Sequence, residues 1–85
     1  MTRVTVTVRP KQGILDPQGE ALRRSLAAGG QPVVAVRAGK LFDVEIDATS
    51  DAEALAVAER IAGDVLANPL IEEHRVDLAG GGQAG

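Results

Sequence analysis

Valine and a polar residue take turns from Arg3 to Arg9, with Val4, Val6 and Val8 set against Arg3, Thr5, Thr7 and Arg9. A two-residue period puts the valines on one side of an extended chain, so this segment predicts a strand with one buried face. The period lengthens after Asp16-Pro17. The aspartate offers an N-cap acceptor, and proline at the first helical position has no N–H to leave unsatisfied. The helix opened there carries Leu22 and Leu26 on one side and a Glu20–Arg24 pair on another. It closes at Gly29-Gly30, where a left-handed cap is accessible. Pro32 then leads into a second predicted strand, Val33 to Arg37, and Ala38-Gly39 offers a tight turn into a third. In that third strand Phe42, Val44 and Ile46 alternate with Asp43, Glu45 and Asp47, so the pair reads as a hairpin.

Ser50 and Glu53 form a capping box, which opens the longest helical pattern, Asp51 to Ala67. Leu55, Ala58, Ile61, Ala62, Val65 and Leu66 gather on its apolar face, and Glu53, Arg60 and Asp64 lie off it. Asn68-Pro69 stops the helix, because the residue before proline is driven out of the helical region. A last strand runs from about Ile71 to Leu78, with His74, Val76 and Leu78 on one face and Glu73, Arg75 and Asp77 on the other. The order β-α-β-β-α-β predicts an α+β fold, a two-layer sandwich with both helices on one face of a four-stranded antiparallel sheet. Residues 1–79 form one domain on this reading, and 80–85 a flexible glycine-rich tail. On the outer sheet face, Arg3, Arg9 and Arg75 meet Asp43, Glu45 and Asp47 and can pair across strands, although a solvated face is the ordinary outcome.

Composition narrows the classes. Eighty-five residues with one aromatic, Phe42, no cysteine and many alanines give a thin core that neither disulfides nor a thiolate metal site can supplement. A partner chain is the remaining source of buried area, so a homodimer or larger assembly is expected. A net charge of −3, with no basic run and no aromatic platform, argues against nucleic acid. No signal-peptide pattern or membrane-length apolar run is present, which points to a cytoplasmic chain.

The residues offer little for catalysis. His74 is the single histidine and falls in line with Val76 and Leu78, a packing position. Ser25 lies mid-helix and Ser50 serves as a cap, so no nucleophile–base pair can be read. Glu72 and Glu73 point to opposite faces of a strand. Asp43, Glu45 and Asp47 share a face and have the donor chemistry for magnesium, yet alternating acids on a strand are ordinarily solvated. Arg37 and Lys40 flank Gly39 where a phosphate could sit, but no phosphate-loop pattern surrounds them. No catalytic, cofactor-binding or metal-binding residue is therefore assigned.

Three stretches, "ILDPQGEAL", "VRAGKLFDVEI" and "DVLANPLIEEHRV", resemble the characteristic blocks of the PurS family, the small subunit of phosphoribosylformylglycinamidine synthase. Their order and spacing match as well, and the resemblance extends from Arg3 to Leu78. Two positions depart from it: His74, where the family more often has an aromatic, and Pro69, where a polar or β-branched residue is frequent. The resemblance implies a subunit that catalyses nothing itself. It joins a large synthetase subunit (PurL), which holds ATP, magnesium and the ribonucleotide, to a glutaminase subunit (PurQ) that releases ammonia. The complex converts formylglycinamide ribonucleotide to the amidine in purine biosynthesis.

For partner contact the expected residues are Asp16, Pro17, Gln18, Gly19, Arg37 and Lys40, at the helix start and the hairpin turn. Gly13 and Gly19 have no Cβ and would let another backbone approach; a turn required only by the fold explains them equally well. Two other classes share the architecture. An amino-acid-binding module of the ACT type ordinarily accompanies a catalytic domain, and titration with amino acids tests it. A stand-alone acylphosphatase needs an arginine in a glycine-rich loop after the first strand, which "RPKQGILD" matches poorly, and a phosphatase assay tests that.

Overall fold

The structure is a computed structural model that describes residues 1–79; the tail expected at 80–85 lies outside the described residues. Strand β1 (Thr2–Pro10) is followed by helix α1 (Pro17–Ala28), strand β2 (Lys40–Ile46), helix α2 (Asp51–Ile61) and strand β3 (Glu72–Leu78). A π-helical turn, Ala62–Leu66, extends α2. The sheet is antiparallel with order β2-β1-β3, so the valine strand sits in the middle. Val4, Val6 and Val8 face Val44, Phe42 and Lys40 on one side and Leu78, Val76 and His74 on the other.

The core follows from the two periods. All three valines of β1 are fully buried, and α2 meets them with a stripe of small residues, Ala54, Ala58 and Ala62, also fully buried. Alanine at helical spacing lets the helix axis approach the sheet closely, and Phe42, Val44, Leu55, Leu66, Val76 and Leu78 close the sides. Ser50 caps α2 by accepting from the Glu53 N–H, and the Glu53 carboxylate reaches back to the N–H and hydroxyl of Thr49, one residue earlier than a regular capping box. The Ala67 N–H donates to the Ala62 carbonyl at 2.9 Å, the bond that widens the last turn before Asn68-Pro69 ends it.

The α+β class and the antiparallel sheet agree with the sequence reading, whereas the first helix and the fourth strand differ. Residues 33–37 form no strand, and Val34 is 90% exposed. The expected tight turn at Ala38-Gly39 is absent as well. Hairpin turns of two residues need positive φ, and among the described residues only Gly13 and Gly30 have it. The chain instead enters β2 without a two-residue hairpin turn, with Gly39 lying against the backbone of Val8 and Arg9. Helix α1 contributes no side chain to the buried core, and Leu22 and Leu26 remain 45% and 41% exposed. Among the described residues, α2 with its π-helical extension covers the sheet. At the far end of α1 the expected left-handed cap is present. Gly30 has φ +88°, its N–H donates to Ala27 and that of Gln31 to Leu26.

Candidate functional site

Where β1 ends and β2 and β3 begin, the loop after β1 and the start of α1 enclose a cleft of about 420 Å³. Ile14, Leu15, Pro17 and Ile71 supply its apolar lip, and Asp16, Gln18, Lys40 and Glu72 its polar rim. A second hollow of about 330 Å³ lies beside it, lined by Lys11, Glu20, Val36 and Arg37 among others.

Asp16 holds this region together. One carboxylate oxygen accepts from the Gly19 N–H at 3.0 Å, the N-cap bond of α1, and the other accepts from the Ala38 N–H at 2.8 Å. The amide of Ala38 and then that of Gly19 hold the Asp16 carboxyl below its ordinary value, with a smaller contribution from the charge of Arg37. Both oxygens are committed, so Asp16 is a clamp between helix and extended segment rather than a base. Gly19 completes the clamp. A Cβ there would lie within van der Waals overlap of the Val36 carbonyl, which makes the position glycine-only for reasons internal to the chain. This corrects the expectation that the missing Cβ admits a partner backbone: Gly19 is buried against its own chain.

One turn along α1, Glu20 accepts from Arg23 through two bonds, at 2.9 and 2.6 Å, and from Arg24 at 3.3 Å. The bonds from Arg23 lead in holding its carboxyl down at about 2. On the opposite rim Lys40 stands 3.9 Å from Glu72, and the Lys11 ammonium donates to the Pro69 carbonyl at 2.7 Å, tying the loop after β1 to the entry of β3.

No nucleophile approaches a base here. Ser25 is exposed on α1 and Ser50 is occupied as a cap. His74 lies outside the cleft, half-buried on the core-facing side of β3 as its alternation implied, with Nε2 2.5 Å from the Glu59 carboxylate of α2. Among the described residues no group of three His, Cys, Asp or Glu side chains is placed to hold a metal ion. Asp43 accepts from Thr5 and Glu45 pairs with Arg3 at 3.1 Å, the solvated cross-strand arrangement of the outer face. The cleft is an apolar lip ringed by charge.

The family model for PurS, phosphoribosylformylglycinamidine (FGAM) synthase, matches residues 3–80. The chain belongs to the PurS family. The PurS subunit of Mycobacterium leprae is 43% identical over 74 residues, covering 86% of this chain and 90% of that one. Among solved structures, Thermus thermophilus PurS superposes with a TM-score of 0.76 at 36% identity, covering 88% of this chain and 93% of that one. A chain in the structure of PurLQS from Thermotoga maritima gives 0.83 at 28% identity, covering 91% and 95%.

Of the residues expected to contact partners in a PurS subunit, Asp16, Pro17, Gln18 and Lys40 line one cleft and Arg37 the neighbouring hollow, while Gly19 lies beneath them. The apolar lip was not assigned from sequence. Leu15 is 81% exposed and Ile71 42%, and the signal was available: Ile14 and Leu15 fall outside every predicted helix and strand, and Ile71 stands at the very start of the last one.

Proposed function

We propose that this chain is the small, non-catalytic subunit of phosphoribosylformylglycinamidine synthase, joining the synthetase and glutaminase subunits in purine biosynthesis. The observation that carries the reading is the near full-length match to PurS chains, one of them within a PurLQS assembly. Two features of the site support it: a cleft with apolar and charged edges, and Asp16 used up as a structural clamp. ATP and magnesium belong to the large synthetase subunit on this reading, and this chain binds neither. Its compartment is the cytoplasm, and no described helix is long and apolar enough to cross a membrane.

A linker acts by holding two active sites in register, so that ammonia released at one reaches the other before it escapes. The test is glutamine-dependent amidine formation by the reconstituted synthetase and glutaminase with and without this chain. Omission should abolish most of the glutamine-dependent rate while each larger subunit stays folded. An unchanged rate without the chain would refute the assignment.

A further inference from the structure

The cleft and the hollow beside it hold more charge than they pair internally, and the surplus is of one sign. Their acids are spent inside the chain. Asp16 accepts two backbone N–H groups, Glu72 is half-buried and accepts from the Asn68 N–H at 2.7 Å, and Glu20 is held by Arg23 and Arg24. The cations are not spent in this way. Among the described residues neither Lys11 nor Arg37 has a carboxylate at ion-pair distance, and exposed Lys40 has only Glu72, at 3.9 Å. Lys11 donates to the Pro69 carbonyl, a bond that uses one of the three protons of its ammonium. In a chain of net charge −3, this end therefore faces outward with positive charge.

Beside these cations stand Ile14, Leu15 and Ile71, all exposed. The loops that carry them are held in place. The Lys11 N–H donates to the Ile71 carbonyl at 2.9 Å and its ammonium to that of Pro69, while the Ile14 N–H donates back to the Lys11 carbonyl at 3.1 Å. On the other loop the Asn68 carbonyl accepts from Ile71 and Glu72, at 3.1 and 2.7 Å. A surface fixed in advance gives up little conformational entropy on binding.

Resting on the synthase reading above, we propose that this end of the chain docks an acidic segment of one of the two larger subunits. Its carboxylates meet Lys11, Arg37 and Lys40, and an aliphatic or aromatic side chain covers Ile14, Leu15 and Ile71. Exposed apolar residues rimmed by charge mark a surface that another protein covers, and a surplus of one sign selects a partner of the other. A bare anion such as phosphate would leave the apolar lip in water. A second copy docked cleft to cleft would set like charges against each other.

The test measures binding of the full chain to the isolated synthetase and to the isolated glutaminase, together with glutamine-dependent synthesis by all three. Leu15→Ser changes an exposed side chain outside the buried core. It should weaken binding to one of the two subunits by roughly tenfold or more, and an excess of the variant should restore the synthesis rate, because contact is lost and chemistry is not. Gln18 on the rim separates charge from folding. Gln18→Glu adds a carboxylate in the first turn of α1, where the helix dipole favours it and the fold is kept. It should nevertheless weaken binding to the same subunit, Gln18→Lys should not, and the gap between the two should narrow at high salt. Undiminished binding of Leu15→Ser, or equal binding of Gln18→Glu and Gln18→Lys, with a wild-type chain that binds and supports synthesis, would overturn the docking site and leave the synthase reading standing. A wild-type chain that binds neither subunit and adds nothing to the rate would overturn both. A fall in the mass of the isolated chain on Leu15→Ser with subunit binding unchanged would put a second copy in the cleft, and saturable binding of inorganic phosphate that Gln18→Glu abolishes and Leu15→Ser spares would put an anion there; either result overturns the acidic segment.

Discussion

Asp16 and Gly19 do together what neither does alone. The carboxylate joins the helix N-terminus to the extended segment, and the absent Cβ lets the Val36 carbonyl come close enough for that join. Gly19→Ala forces this contact apart, and overpacking of that kind costs about 1–3 kcal/mol. Chemical denaturation should show the loss, and the bulkier Gly19→Leu should lose more. The acid limb of stability tests the two carboxylates. Asp16 and Glu20 both have folded-state values below their ordinary ones, Glu20 falling from 4.5 to about 2. A depressed acid contributes stability that is complete above its unfolded value and is lost as pH falls through the folded one. Melting temperature should therefore drop for the wild type between about pH 4.5 and 2, and Glu20→Gln should flatten that part of the profile. His74 is a packing residue tied to Glu59. His74→Phe keeps the ring and should leave glutamine-dependent synthesis at the wild-type rate in the reconstituted complex. A large rate loss with assembly unchanged would make His74 a catalytic residue instead.

Helix α2 and strand β1 form the stable pair. Ala54, Ala58 and Ala62 share one core cluster with three fully buried valines, so helix-to-sheet distance is set by methyl groups. Ala58→Leu should cost about 1–3 kcal/mol by pushing the helix off the sheet, a larger effect than the same change at exposed Ala56. Helix α1 is the opposite case. Its Asp16 N-cap, its Glu20–Arg23 and Glu20–Arg24 pairs and its Gly30 terminus are all local, and its leucines add nothing to the buried core. It holds its shape through short-range bonds and attaches to the rest through the clamp at its first turn.

Taken as one body, the chain has a radius of gyration of 15.9 Å, against about 12 Å for a compact domain of its length. Local stability should be uneven in consequence. Amide exchange at a dilution that leaves the chain monomeric should be slowest in β1, paired on both sides and buried, and faster throughout α1. Uniform protection across both would mean that α1 packs on the core after all.

Local order along the chain was enough for the alternating strands Arg3–Arg9 and Phe42–Ile46, for both helix starts and for the left-handed stop at Gly30. Each of these depends on residues within a few positions of one another, where backbone sterics and side-chain period act directly. The motif blocks also carried the family, and with it the helix-start residues that prove to line the cleft. Other features depend on distances between segments far apart in sequence. Val33 to Arg37 has a strand's composition, but whether a strand forms rests on a neighbour that supplies hydrogen bonds, and the Asp16 bond to Ala38 carries the segment away from its own sheet. Leu22 and Leu26 have an amphipathic helix's spacing, which requires a surface to cover without saying which. Gly19 looked open to a visitor from its sequence context, and packing showed the space already filled by the Val36 carbonyl, a contact that no local pattern encodes.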